Sequence, residues 1–356
     1  MKSFLIALGL LFTTLTLAGP AWSATVFARP STLDATLRSA PCGATVVLRG
    51  PPPFGPSRAL SGRSCPATKP VTIDATGAEI AGLWYFSRVA GVAIKGGLWR
   101  GGRDAAGKAT IALRFDDAEH IRISGAKFDG PNTVPALMLM RTRQVAVTES
   151  DFTGFIAGIS VIDADGLTVE HNRLHGLRAD GMVAGRANNV RIADNVCEAA
   201  NERFGADHPD CFQFYGAPGR VSTGIQVLRN RLSGFAQGVF LADGAYADVV
   251  IEGNTIAMAM GRGISVGPCT GCRVSGNTVS TARDAPDQSE IFLMAGIARC
   301  ENKVAPYMTP RGGRKRAASD GKCAAADKAP GRGGATSAKP EADEAAEREP
   351  PAAAAR

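Results

Sequence analysis

The segments HIRISGAKFDG, QVAVTESDFTG, GLTVEHNRLHG, NVRIADNVCEA, GIQVLRNRLSG, DVVIEGNTIAM and GCRVSGNTVST follow one another along the middle of this chain, about 22 to 25 residues apart except across one stretched interval. Each has two apolar residues at i and i+2, a turn, and a further apolar residue two places beyond it. A spacing of two puts both apolar side chains on one face of a strand. A second short strand lies upstream: GISV, DGMV, CFQF, GVFL, GISV again and EIFL. Each period therefore holds three short strands with Gly, Asn or Asp at the corners and no helical spacing between them. No such unit can bury its inward face alone. Stacked coils can, because each strand pairs with its counterpart one coil away and the inward side chains merge into one core.

One corner is occupied by Asn172, Asn195, Asn230, Asn254, Asn277 and, more weakly, Asn302. Asparagine tolerates left-handed backbone, and stacked amides can hydrogen-bond from coil to coil. Over about residues 30–304 the pattern resembles the right-handed parallel β-helix of the pectate-lyase-like superfamily. Near the start, TLDATLRSAPCGATVVLRG resembles that superfamily's amphipathic capping helix leading into the first strand. The expected fold is all-β: one right-handed parallel β-helix (a solenoid) from about Thr45 to Val304, with an N-terminal capping helix around Thr32 to Ser39.

Residues 1–23 read as a secretory signal, with Lys2, an apolar run from Phe4 to about Leu17, and small or polar residues around Ala21 to Ser23. That run is shorter than the roughly 20 residues a membrane-spanning helix needs. No later segment is apolar for longer, so the expectation is a secreted or periplasmic monomer with no membrane span. Eight cysteines in an oxidising compartment imply disulfides, and proximity suggests Cys42–Cys65, Cys197–Cys211, Cys269–Cys272 and Cys300–Cys323. Cys269 and Cys272 also read as CxxC, but no second CxxC or nearby histidine completes a zinc site. The net charge of +7 does not point to nucleic acid, because much of it lies in the tail, Arg311, Arg314, Lys315 and Arg316 included. Residues 305–356 are dominated by Ala, Gly, Pro, Lys and Glu, which bury too little surface to offset ordering entropy. The expected organisation is a signal peptide (1–23), a β-helix domain (24–304) and a disordered tail (305–356).

The stretched interval holds an insertion, CEAANERFGADHP, in the turn before the strand that begins at Asp210. Long insertions in a solenoid gather on its binding face. With the coils in register, Ala157, Asp180, Asp210, Gln237, Arg262 and Ser289 stack as a column with steps of roughly 4.8 Å. Adjacent carboxylates raise each other's pKa unless a cation, a shared proton or an arginine joins them. The resemblance implies that loops at this turn wall the groove for an acidic (uronate) polysaccharide. It implies Ca²⁺, a hard ion suited to oxygen ligands, on Asp180, Asp207 and Asp210, with Arg262 as base or carboxylate clamp and His208 reaching in from the loop. The reaction implied is α-proton abstraction, by a lyase or a C5-epimerase; the His-Pro-Asp stretch is similar to a motif of alginate epimerases. Gln213, Gln237, Tyr215 and Phe240 are the expected substrate contacts, with Phe240 and Phe292 facing outward where rings can stack on sugars.

A hydrolytic reading competes. ADGM, PDCFQF, AQGVFL and GRGISV are similar, in order and coil position, to elements of the polygalacturonases, yet Pro209 stands where that family has aspartate, Gln237 where it has histidine, and the final lysine is missing. Inversion needs two carboxyls roughly 6.5 to 9.5 Å apart. Non-catalytic glycan binding or a structural role is the third reading. The plainer meanings are that Asp180-Gly181 is a turn signal, that Arg262 is a surface arginine, and that His120, His171 and His175 lie on the surface away from the groove.

Overall fold

The computed structural model describes residues 24–199, 208–283, 285–308 and 314–323. The expected signal peptide and most of the insertion lie outside these residues. A coil consists of three strands: Leu137–Met140 in a first sheet, Arg143–Thr148 in a second and Asp151–Thr153 in a third, after which Ile159–Ile162 begins the next coil. Among the described residues the first, second and third sheets hold 9, 12 and 11 strands, bonded in parallel from coil to coil except for the last strand of the third sheet, Ala318–Ser319. The helix Leu33–Ser39 closes the N-terminal end and buries Leu33 and Leu37. Parallel pairing begins slightly before the expected Thr45, with Thr25–Ala28 lying beside Thr45–Leu48.

Alternation along each strand builds the core. In the first sheet the inward pairs Ile159 and Val161, Met182 and Ala184, Phe212 and Phe214, Val239 and Leu241 are all buried, one pair above another. Register places like over like: Phe128 and Phe152 stack at 4.6 Å between ring centroids, 3° from parallel.

Both sharp corners have physical signatures. Between the first and second sheets the turning residues are Arg88, Asp117, Arg141, Asp163 and Arg186, all left-handed with φ of 50° to 55°. Their charges alternate from coil to coil. Arg141 pairs with Asp117 (Nε–Oδ1 2.6 Å) and Arg186 with Asp163 (Nε–Oδ1 2.7 Å). Between the second and third sheets lies the asparagine ladder, but the left-handed residue there is the one before each asparagine: His171, Asp194, Arg229, Gly253, Gly276 and Glu301, with Glu149 in the same place before Ser150. The asparagines themselves point inward and are no more than 2% exposed. Their role is therefore hydrogen bonding rather than tolerance of positive φ.

From Asn195 to Asn302 each Oδ1 in the ladder accepts two bonds from the preceding coil, while Asn172 Oδ1 accepts one, from Ser150 N. Asn230 Oδ1 takes the backbone N–H of Asn195 (2.9 Å) and its Nδ2 (3.0 Å), while Asn230 Nδ2 donates to Ile192 O (3.0 Å) and Asn254 Oδ1 (3.0 Å). Asn302, the weakest member in the sequence, is a full one and donates onward to Asp320 Oδ2 (2.8 Å). Asp320 belongs to a returning segment whose Ala318–Ser319 pairs antiparallel with Lys303–Val304. The Cys300–Cys323 disulfide ties that segment down. The expected boundary at 304 is thus corrected: the fold runs to Cys323, because the last coil needs its edge and its ladder end covered. All four expected disulfides are present.

Two outcomes follow. Asn230→Leu strips the acceptor from two buried donors of Asn195 and the donor from Ile192 O, each orphan costing about 1–3 kcal/mol, so urea denaturation should show a loss of at least about 3 kcal/mol. Truncation after Cys323 should leave Tm within about 2 °C, whereas truncation after Val304 should lower it well beyond that in the same calorimetric scan.

Candidate functional site

The column of first-sheet strand entries forms as expected through Asp180, Asp210 and Gln237, with Met182 opposite Phe212 and Asp210 opposite Gln237. Beyond Arg262 the register shifts, so Glu290 and not Ser289 lies opposite it. Ser289 is instead fully buried, beneath Gly263, where an added Cβ would lie 2.8 Å from the Ser289 hydroxyl oxygen.

Asp180 does not reach out as a free acid. Its Oδ1 accepts the Asp210 backbone N–H at 3.0 Å, Asp210 O accepts from Gly181 N at 2.9 Å, and Pro209 O accepts from Gln237 N at 3.0 Å. Asp180 is therefore a bracket for the next strand entry. Gly181 is absent from the positive-φ positions; a Cβ on it would meet the Cys211 carbonyl oxygen at 2.5 Å and Cys197 Sγ at 3.1 Å. Space, rather than a turn, requires glycine there, which corrects the turn reading of Asp180-Gly181.

Asp210 has a relative exposure of 0%, and neither carboxyl oxygen has a hydrogen-bond partner. The nearest cationic candidate is His208, whose Nδ1 stands 3.4 Å from Asp210 Oδ2, within ion-pair reach but outside hydrogen-bond geometry. Its other nitrogen, Nε2, lies 2.8 Å from Gln237 Nε2. With the Gln237 amide oriented as it stands, its Nε2–H donates to His208 Nε2, which assigns the ring proton to Nδ1, facing Asp210. The imidazole is 57% exposed and rests edge-on against Phe240, with centroids 5.9 Å apart at 75°. The Arg262 guanidinium covers the same ring, 5.5 Å from its centroid.

These contacts sort the expected residues. Asp210, His208, Gln237 and Arg262 converge. Phe240 points outward but is only 4% exposed; His208 and Arg262 cover it, so it supports the site and is not a stacking platform. Phe292 lies two coils further along that row, opposite Ser265, and is 46% exposed. Gln213, opposite Phe240, and Tyr215, whose ring lies over Gly185, are half-buried. His175 is held on the third sheet by Asp151 at 3.1 Å, away from the column. Asp207 lies outside the described residues. Among the described residues, no group of three His, Cys, Asp or Glu side chains is placed to hold a metal ion.

Burial pushes the Asp210 carboxyl up to about 7, the charge of Asp243 adding to the rise and that of Arg262 opposing it. Asp243 is not among the residues that the sequence pointed to. A register shift between Gln213 and Tyr215 sets it opposite Tyr215, and pairing geometry of that kind leaves no local sequence mark. A groove of about 660 Å³ lies elsewhere, at the corner lined by Asp117, Arg141, Asp163, Arg186 and Arg220. There the acids and bases pair with one another.

The family described as "Right handed beta helix region" matches residues 107–279. Among solved structures, PfbA, a surface adhesin of Streptococcus pneumoniae, is similar at 12% identity and a TM-score of 0.55, over 77% of this chain and 79% of that one. An alginate lyase from a Paenibacillus species aligns at 14% identity and a TM-score of 0.39, over 78% of this chain and 97% of that one. A polygalacturonase from Erwinia carotovora aligns at 11% and 0.39, over 78% and 94%. Comparison with curated protein sequences finds no match. At these identities the likeness is one of fold, and the chain is a right-handed parallel β-helix protein with an N-terminal cap, as the resemblance implied.

The buried carboxyl has a stability signature. Its folded value, about 7, exceeds the ordinary unfolded value near 3.9, so the folded state holds the extra proton between those values. Stability is then lost as pH rises from about 4 to about 7, by at most about 4 kcal/mol. Asp210→Asn removes that penalty: urea denaturation should show the variant gaining on wild type from pH 5 to pH 8. A variant less stable than wild type at pH 8 would mean that Asp210 is a satisfied structural anion.

Proposed function

We propose that this is an exported carbohydrate-active protein that binds an acidic polysaccharide over the outer face of the first sheet and abstracts the α-proton of a uronate unit, as a lyase or C5-epimerase. The observation that carries this reading is the exposed His208 imidazole held between buried Asp210 and Gln237, with exposed Arg262 alongside. A buried, charge-poor setting that perturbs an acid next to an exposed histidine and arginine suits acid–base work better than packing does. Four disulfides support an oxidising compartment.

In this mechanism the substrate displaces the Gln237 amide from His208 Nε2, which takes the proton. Asp210, behind Nδ1–H, orients the ring and stabilises the imidazolium that forms. Arg262 clamps the uronate carboxylate by charge-assisted hydrogen bonds, and Asp180 holds the strand entry in place. Gln213 and Tyr215 border the same face. Ca²⁺ takes six to eight oxygen ligands. Asp180, Asp210 and Gln237 offer fewer than that, and one Asp180 oxygen is already on a backbone N–H, so the described residues do not fit such a site and no step passes through the ion. A hydrolytic pair is not favoured either, because Asp180 is engaged and Asp210 is sealed from water.

The test is incubation with a panel of uronate polymers, with and without Ca²⁺, followed by ultraviolet absorbance of unsaturated ends and by exchange of the uronate α-proton with solvent deuterium. Either signal supports the proposal. His208→Ala should lower it by at least about 100-fold, Arg262→Ala should act mainly on KM, and the rate should rise with pH through about 7, where Asp210 ionises. New reducing ends without unsaturation would make the protein a hydrolase, and binding without chemical change a glycan-binding module. A strict Ca²⁺ requirement would restore the ion to Asp180, Asp207 and Asp210.

A further inference from the structure

The candidate site sits at the one first-sheet strand entry that follows the long insertion. In the two coils that follow, the corner between the third and first sheets is short, from Gly234 to Gln237 and from Met258 to Arg262, and backbone hydrogen bonds hold it unaided; the other long excursion with described pairing, from Arg100 to Leu113, is held by its own antiparallel pair, Gly102–Arg103 with Ala109–Thr110. Before Asp210 the chain leaves the third sheet at Ala199 and re-enters at Asp210. The Cys197–Cys211 disulfide closes this excursion, with 5.9 Å between the two Cα atoms. Cys197 is 2% exposed and Cys211 0%, so the bond lies inside the solenoid, at the base of the loop.

The other three disulfides have different positions. Cys42–Cys65 clips the start of the chain, Cys300–Cys323 clips the returning end, and Cys269–Cys272 spans three residues. Both strands joined by Cys197–Cys211 are already paired on each side. Val196–Ala199 lies between Arg173–His175 and Arg231–Gly234, and Asp210–Tyr215 lies between Met182–Gly185 and Gln237–Asp243. Losing the bond therefore leaves each strand in its sheet, and the freedom gained falls on the residues between the cysteines, which include His208 and Asp210. The neighbouring coil is shaped around the bond, since Gly181 alone leaves room for Cys211 O and Cys197 Sγ.

We propose that the Cys197–Cys211 disulfide is the positioning device of the candidate site: it fixes the strand entry that carries His208 and Asp210, and its loss disconnects the site while the solenoid stays folded. This rests on the reading of His208 and Asp210 as the site. The pair is a positioning pair and touches no substrate.

The test uses the full mature chain with Cys197→Ser and Cys211→Ser together, so that no lone thiol remains, and Gly181→Ala, which keeps the cysteines but crowds the bond. Amide hydrogen exchange should accelerate at least tenfold at Asp210 and Gln237 in both variants, with Ile192 and Val227 unchanged. The imidazole nitrogen shifts of His208 should lose the Nδ1–H pattern of wild type, and turnover or binding of whichever uronate polymer wild type recognises should fall at least tenfold. A lower Tm with wild-type exchange and imidazole shifts in the folded double variant would make the bond a plain staple and overturn the proposal. Should the double variant fail to fold, the same wild-type signals in Gly181→Ala would overturn it. If wild type recognises no polymer, the functional reading fails, while the exchange and imidazole measurements still decide the role of the disulfide.

Discussion

From Asn172 to Asn302, one buried amide per coil sets the register of the stack. From Asn195 onward each ladder asparagine has its oxygen filled by two donors from the coil before and its nitrogen spent on the segments either side, so the vertical offset between these coils is fixed to one value. The stretched coil shows how firmly. Asn195 and Asn230 are 35 residues apart and Asn172 and Asn195 are 23 apart, yet the backbone-to-Oδ1 distance is 2.9 Å in both. The extra residues leave the ladder untouched and fall at the other two corners, seven between the third and first sheets and five between the first and second. That is why an insertion can carry polar groups onto the first sheet without disturbing the core.

Vertical columns are the product of that register. Asp180, Asp210 and Gln237 would be scattered side chains in a globular fold; here they are neighbours because each begins the first strand of its coil. The site uses the column unevenly. Asp180 is consumed in holding the next backbone, Asp210 is sealed beneath His208, and the exposed chemistry is left to the imidazole and to Arg262 above Phe240.

Much of this was legible in the sequence because the repeat is strict. The coil period and the adjacency of Asp180 and Asp210 follow from spacing, the four disulfides from proximity along the chain, and the cap helix from the family resemblance. What escaped depends on contacts that spacing does not encode. The asparagines looked like left-handed corner residues, but the left-handed position belongs to the residue before each, and the amide points inward. Phe240 alternates outward correctly yet is covered by side chains from the loop and the next coil. Ser289 was displaced from the column by a shift in pairing near Gly263, and Asp243 was brought opposite Tyr215 by another near Gln213. The tail boundary failed because a polar segment can be ordered by an edge strand and a disulfide, which composition does not register.

The alternating corner from Arg88 to Arg186 has a bearing on how such a chain avoids misassembly. Near-identical coils invite an error in which one is looped out and its neighbours close over the gap. At this corner that error would set Asp117 against Asp163 and Arg141 against Arg186, replacing bidentate ion pairs with like charges at contact distance. The apolar interior would scarcely notice the omission, since one layer of Val, Ile and Phe substitutes for another. A two-letter charge code on the outside thus acts as a parity check: it counts coils, and rejects any stack that has skipped an odd number of them.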